Sequence, residues 1–314
     1  MGRNIKQQRI GLVLSGGGAR GFAHIGVMRV LERAGIQADV VAGTSIGAIL
    51  GALYASGRSA DEIYELAHET SWRDVFDLSL QAGLIKGDKL HAFLAKLLPP
   101  RFADLEKPFV ITTTDIESGE EVVILEGDLV KAVRASSCFP GAFEPVEFEG
   151  RTLADGGIVN NLPVNAAAVF HASYTIASDA TPPRRAAFRE PHEQGRWWER
   201  MLATVRLERR NPMAQMLLRS SDIMQSILTD IQYNLHPADV RVQLDMPHIR
   251  IESFWAFEEI VKLGERAALR ALGAAGLLPD DEQRHAASLL ASRAAPLPEP
   301  ADPKAKRRLT LKRP

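Results

Sequence analysis

Ser45 lies in the pentad Gly43-Thr44-Ser45-Ile46-Gly47, a G-x-S-x-G sequence between an apolar run and a helical pattern. Small neighbours on both sides permit a sharp turn that lifts a hydroxyl off the end of a strand and toward the positive pole of the next helix. Such a serine can attack an ester carbonyl, and the amide of Ile46 could face the oxyanion that forms. The plainer alternative is a helix N-cap beside two glycines that permit tight packing. A second glycine loop, Ser15-Gly16-Gly17-Gly18-Ala19-Arg20-Gly21, also follows an apolar run. Its backbone N–H groups could meet an anion at a helix N-terminus. Asp155-Gly156-Gly157 adds a carboxylate on a turn, where an isolated aspartate would be unremarkable.

A serine needs a base, and histidine is the usual one. None of the eight histidines has a persuasive setting: His24, His68, His91 and His171 fall in helical patterns, and the other four flank the strand pattern loosely. The glycine loop has a rival reading, because Gly16, Gly18 and Gly21 satisfy G-x-G-x-x-G, a dinucleotide-binding pattern. Asp39, eighteen residues after Gly21, opens the second strand rather than closing it, which is the wrong end for a ribose-binding acid.

These residues must be positioned by the elements around them. Residues 10–15 form a buried strand, and Ala23, Val27, Val30, Leu31 and Ala34 keep helical spacing up to Gly35. Residues 39–42 form a second strand, and Ile46, Ile49, Leu50 and Leu53 begin a second helix. A strand-helix-strand-helix opening predicts a parallel sheet, with Gly16 and Ser45 on its carboxyl edge. Residues 58–106 are mainly helical, with an irregular stretch around Leu78, Leu80, Leu84 and Ile85 that could form a cap. Further strands fall at 109–113, 121–125 and 174–177, with a hairpin over 143–153 leading to Asp155. Asp128 caps a short helix, and Pro163 opens another. Helical spacing runs from Trp198 to Ile231. Alternating Val240, Val242 and Leu244 and a helix over 254–272 complete the pattern.

The motifs SGGGARG, GTSIG and DGGIVNNLP, in that order over residues 10–180, resemble the patatin-like phospholipase family, particularly its bacterial members. The resemblance implies an α/β fold, a three-layer sandwich with a mainly parallel central sheet flanked by helices. It implies Ser45 as nucleophile, Asp155 as base, Gly16, Gly17 and Gly18 as the oxyanion hole, and Arg20 as a substrate-binding position. Pro140, in RASSCFPGAF, matches a block that shapes the site. The implied substrates are fatty-acyl esters of (lyso)phospholipids or related lipids, with no metal and no cofactor. The alternatives weighed are a catalytically weak lipid-binding or regulatory protein on the same fold and a nucleotide-dependent enzyme. An aspartate in water, with a pKa of about 4, is a weak base toward serine, so a Ser-Asp pair demands a partly dry site and strong oxyanion stabilisation.

Composition narrows the setting. In 314 residues, 38 Lys and Arg nearly balance 39 Asp and Glu, which offers no electrostatic footprint for nucleic acid. One cysteine, Cys138, excludes an internal disulfide and fits a cytoplasmic protein; it reads as a small buried residue, not a nucleophile. The run after the basic N-terminus is too short for a signal peptide, and no stretch has the ~18 apolar residues of a spanning helix. Peripheral contact with the inner membrane surface is the expected limit. The expected division is a catalytic region over 8–185, a completing helical, strand and helix segment over 186–278, and a disordered tail over 279–314. The six basic residues Lys304 to Arg313 could hold anionic lipid, though a solvated end is the simpler account. Trp198, Met201, Leu202 and Val205, with Met213, Met216, Met224 and Ile231, could dock on lipid or another subunit, but burial in the core is the plainer expectation.

Overall fold

A computed structural model describes residues 5–75, 85–182, 212–280 and 282. The candidate cap at Leu78, Leu80 and Leu84, the apolar face Trp198 to Val205 and the basic tail lie outside the described residues. Strand β1 (Ile10–Leu14), helix α1 (Ala23–Arg33), β2 (Val40–Gly43) and α2 (Ile46–Ala55) form the opening unit. Helices α3 (Ala60–Glu69), α4 (Trp72–Val75) and α5 (Asp88–Leu97) follow. The middle of the chain supplies β3 (Phe109–Asp115), β4 (Glu121–Ile124), α6 (Leu129–Ser136), β5 (Val146–Phe148) and β6 (Arg151–Asp155). Then come α7 (Val164–Ala167), β7 (Tyr174–Asp179), α8 (Pro212–Leu235), β8 (Val240–Gln243) and α9 (Phe257–Ala274).

The strands make one sheet, ordered β5-β6-β3-β2-β1-β7-β8, with β4 hydrogen-bonded to β3 as a side arm. β1 pairs in parallel with both β2 and β7, and the parallel set extends to β3 and β8. β3 pairs antiparallel with both β4 and β6, and β6 pairs antiparallel with β5. The patterning explains why helices cover both faces. Leu12, Leu14, Val41 and Ile111 join the large core beneath α1, α2 and α9. The intervening Val13, Ala42 and Val110 join a smaller core under α7. A strand buried on both faces has no polar side to alternate, so these strands read as continuous apolar runs.

Local signals explain the boundaries. The Asp128 side chain accepts from the amide of Lys131 at 2.9 Å and starts α6. Glu149 (φ 50°) and Gly150 (φ 80°) make the tight hairpin turn between β5 and β6. α1 and α9 pack closely because Gly26 and Gly264 carry no Cβ, which would otherwise overlap the carbonyls of Val261 and Ala23. One expectation fails on α8: Met216, Met224 and Ile231 are exposed, not buried. Among the described residues, the side chains that this helix buries are polar, namely Gln225, Ser226 and Thr229. Helical periodicity shows which residues share a face but not which face turns inward.

Candidate active site

Gly16 and Ser45 each lie two residues beyond the carboxyl ends of adjacent parallel strands, β1 and β2. Ser45 has φ 56° and ψ −124°, a conformation that non-glycine residues rarely adopt and that costs of order 1–3 kcal/mol. The surroundings enforce it. A Cβ on Gly43 would lie 2.5 Å from the Gly47 carbonyl oxygen, and one on Gly47 would overlap the Leu14 carbonyl. The turn therefore closes only with glycine at both ends. The amide of Ser45 donates to the Ser136 hydroxyl at 2.9 Å, and that hydroxyl donates to the Thr112 carbonyl at 2.7 Å. The hydroxyl-bearing turn is thus fastened to β3.

Asp155 ends β6 on the other side of β3, opposite Thr113 in the register. Its amide donates to the Cys138 carbonyl at 3.0 Å, and its own carbonyl accepts from the Thr114 hydroxyl at 2.9 Å. Next to it, Gly156 lies so close to the Thr112 carbonyl that a Cβ would overlap it. Thr112 is consequently a common support for the serine turn and the aspartate turn. The carboxylate is buried (2% exposed), accepts from the Gly157 amide at 2.8 Å, and has the Ser45 side chain near enough to favour its charged form. Burial pushes its pKa up to about 6, against the opposing pull of the Ser45 side chain and the Gly157 amide. The aspartate is therefore a stronger base than one in water, yet mostly ionised at neutral pH.

The glycine loop divides its labour differently from expectation. The Gly16 amide is already donated, at 3.1 Å, to the Asn161 carbonyl. What Gly16 contributes is room: a Cβ there would lie 3.2 Å from the Ser45 Cβ and would overlap Asn161 Oδ1. Among the described residues, the amides of Gly17, Gly18 and Ile46 have no hydrogen-bond partner. Gly18 sits at φ 55° against the Ile251 carbonyl, a place where any side chain would be strained and would clash. The Ala19 amide donates to Ile251 at 2.8 Å and pins the far end of the loop.

Arg20, expected at a substrate-binding position, has its charge engaged elsewhere. It is buried (3% exposed), its Nη2 lies 2.6 Å from Asp222 Oδ1 on α8, and its Nε donates to the Gly17 carbonyl at 3.4 Å. A guanidinium held this way braces the loop from behind. His24 is also structural. Its Nε2 meets the Ser15 carbonyl at 2.9 Å and its Nδ1 meets the Ser178 hydroxyl at 2.7 Å. Burial drives its pKa down to about 4, so near neutral pH it is uncharged, donating from Nε2 and accepting at Nδ1. Cys138, beside the Asp155 amide, donates its thiol to the Arg134 carbonyl at 3.2 Å, and burial pushes its pKa up to about 12. A thiol this hard to ionise is not a nucleophile.

Three residues near the site carried no role in the sequence reading. Ser136 lies in a helical pattern and reveals nothing until its hydroxyl is seen under Ser45. Asn161 belongs to the DGGIVNNLP motif; its Nδ2 donates to the Thr181 hydroxyl at 2.9 Å, and its Oδ1 is buried without a partner. Gln225 reaches in from α8 beside Asp155: a Cβ on Gly157 would be 2.8 Å from Gln225 Nε2 and 3.0 Å from Asp155 Oδ1. Among the described residues, no group of three or more His, Cys, Asp or Glu side chains could hold a metal ion. A cleft of about 380 Å³ lined by Phe102, Pro108, Phe109 and Phe170 lies at the start of β3, the opposite edge of the sheet from Ser45.

The family model described as patatin-like phospholipase matches residues 12–168. An uncharacterized NTE family protein of Mycobacterium tuberculosis is 36% identical over 213 residues, covering 65% of this chain and 58% of that protein. The patatin-like phospholipase domain-containing protein 6 of Homo sapiens is 37% identical over 189 residues, 57% of this chain but 14% of that protein. The lysophospholipase NTE1 of Candida albicans is 35% identical over 175 residues, 52% of this chain and 12% of that protein. The chain thus spans less than two thirds of the length of these curated relatives. Among solved structures, VipD from Legionella pneumophila superposes with a TM-score of 0.46 at 16% identity, over 85% of this chain and 67% of that one. With half of its residues matched by the family model, the chain belongs to the patatin-like phospholipase family.

Proposed function

We propose that the chain is a serine acyl hydrolase that cleaves fatty-acyl esters of phospholipids, lysophospholipids or related lipids, with Ser45 as nucleophile and Asp155 as its base. One observation carries this reading: a serine held in a strained strand-to-helix turn stands near a buried carboxylate whose basicity burial has raised. Family membership supports hydrolase chemistry on lipid esters.

In the proposed reaction, Ser45 Oγ forms a bond to the acyl carbon while its proton passes to Asp155. The carbonyl electrons move onto oxygen, where the amides of Gly17, Gly18 and Ile46 are the candidate donors. Losing one such donor typically costs about a hundredfold or more in rate. The ester C–O bond then breaks, and the leaving alcohol takes the proton from Asp155. Water, losing a proton to Asp155, attacks the acyl-Ser45 carbonyl; fatty acid departs and the proton returns to Ser45 Oγ. Arg20 in this scheme braces the loop rather than binding substrate. The proposed setting is the cytoplasm, with peripheral access to lipid. The chain has one cysteine, and no described helix is long and apolar enough to cross a membrane.

The test is a fluorophosphonate probe on the purified protein. Wild type is expected to be labelled and Ser45→Ala to stay blank, and equal labelling of the two would remove Ser45 from the mechanism. A lipid panel read by mass spectrometry of released fatty acids would then define the ester class.

A further inference from the structure

Among its described side chains, and apart from Tyr233, which packs on the smaller core, helix α8 turns polar residues inward and large apolar ones outward. Its inward positions Asp222, Gln225, Ser226 and Thr229 are polar, spaced at i, i+3, i+4 and i+7. Its outward stripe is Met216, Met224, Ile227, Ile231 and Leu235, exposed by 72, 58, 36, 48 and 66%. At 100° per residue, the three charged residues of the helix, Arg219, Asp222 and Asp230, fall away from that stripe. Two of them are engaged with the body, Asp222 with Arg20 and Asp230 with Arg241 at 3.5 Å. A band roughly 28 Å long with five large exposed apolar side chains, interrupted among the described residues only by the uncharged Ser220 and Asn234, needs an explanation.

We propose that the outer stripe of α8 docks on the surface of a phospholipid bilayer and holds the Ser45 site against it. Three features select this occupant. The stripe is uncharged, so it fits the acyl boundary of a bilayer rather than a charged partner. It offers five large side chains, whereas a stable protein interface uses about 20–30 residues on each side, so a second copy would lack grip. Finally, the inner face of the same helix touches the machinery: Asp222 holds the Arg20 brace, and Gln225 stands beside Asp155. A bilayer on the outer face would thus lie one helix away from the candidate reaction centre. Two methionines suit a surface that must adapt to irregular lipid packing. The importance of this docking for turnover rests on the acyl hydrolase reading; the docking itself does not.

The test is co-sedimentation of the full chain with phosphatidylcholine vesicles at about 0.5 M NaCl, where the Debye length is only ~4 Å and the basic tail is screened. The Met224→Asp/Ile231→Asp protein is expected to partition at least about tenfold more weakly and to lose hydrolysis of vesicle lipid in proportion. Its hydrolysis of a dissolved short-chain p-nitrophenyl ester and its Tm should be unchanged. The docking is overturned if wild type stays in the supernatant or if the variant binds as well as wild type. It is equally overturned if light scattering shows the variant splitting a dimer, or if its Tm falls by several degrees, since the stripe would then be covered by a second copy or by the chain itself. Absence of hydrolysis of the dissolved ester by wild type would instead count against the enzymatic reading, leaving the binding result to stand by itself.

Discussion

The Nη2 of Arg20 lies 2.6 Å from the Oδ1 of Asp222, joining two residues 202 positions apart in the chain. The pair ties the glycine loop after β1 to helix α8, and Arg20 also holds the Gly17 carbonyl. A buried cation that loses its partner is costly. Asp222→Ala should destabilise the fold by about 2–3 kcal/mol in urea titrations, the lower side of the range for buried pairs because Asp222 is partly solvated. If Arg20 acts as a brace rather than a substrate contact, the same variant should lower kcat with little change in KM. A rise in KM alone would return Arg20 to substrate binding.

Ser136 underpins the Ser45 turn without facing solvent. Ser136→Ala removes the acceptor for the Ser45 amide and the donor to Thr112. Loosening the reacting hydroxyl by a fraction of an ångström is expected to reduce kcat by about tenfold or more, with stability falling by roughly 1 kcal/mol. Stopped-flow acylation with a p-nitrophenyl ester separates this from slower deacylation, and an unchanged acylation rate would show that the turn holds without it.

Two buried titrating groups make opposite contributions to stability. The folded pKa of Asp155 is raised to about 6, so its ionisation opposes folding, and stability is lost as pH rises from about 4 to 6. The folded pKa of His24 is lowered to about 4, so stability is lost as pH falls from 6.5 through 4. In wild type the two largely offset each other across this window. Asp155→Asn should abolish ester hydrolysis yet raise stability near neutral pH by up to roughly 3 kcal/mol. It should also leave a melting temperature that climbs steeply between pH 4 and 6.5 through His24. Wild-type kcat/KM should fall on the acid side with an apparent pKa near 6. A destabilised Asp155→Asn protein would mean that the carboxylate contributes favourably to the fold.

Gly47 tests the geometry of the turn. A Cβ at this position would overlap the carbonyls of Leu14 and Ser15, which are strand and loop backbone and cannot swing aside. Gly47→Ala should cost more than about 3 kcal/mol or prevent folding, well beyond the ~1 kcal/mol gain in helix propensity from glycine to alanine. Circular dichroism of the purified variant, or its failure to accumulate in soluble form, would show this. A folded and active Gly47→Ala protein would mean that β1 can move away from α2.

Much of the architecture was written in local patterns. Apolar runs bounded by glycine marked the parallel strands because burial on both faces leaves no polar alternation, and Asp128, Pro163 and Glu149-Gly150 marked caps and turns through their own backbone chemistry. The motifs around Ser45, Gly16 and Asp155 were legible for the same reason: a turn that permits no Cβ leaves glycines in the sequence. Long-range relationships were not. Only the tertiary structure decided that Gly16 spends its amide on Asn161, that Arg20 turns to Asp222, and that Thr112 supports both turns, since each depends on partners brought together by strand order. It also reversed the expectation for α8. Periodicity marks two faces of a helix, but which of them faces the protein depends on what it packs against, and here the wall is a polar site.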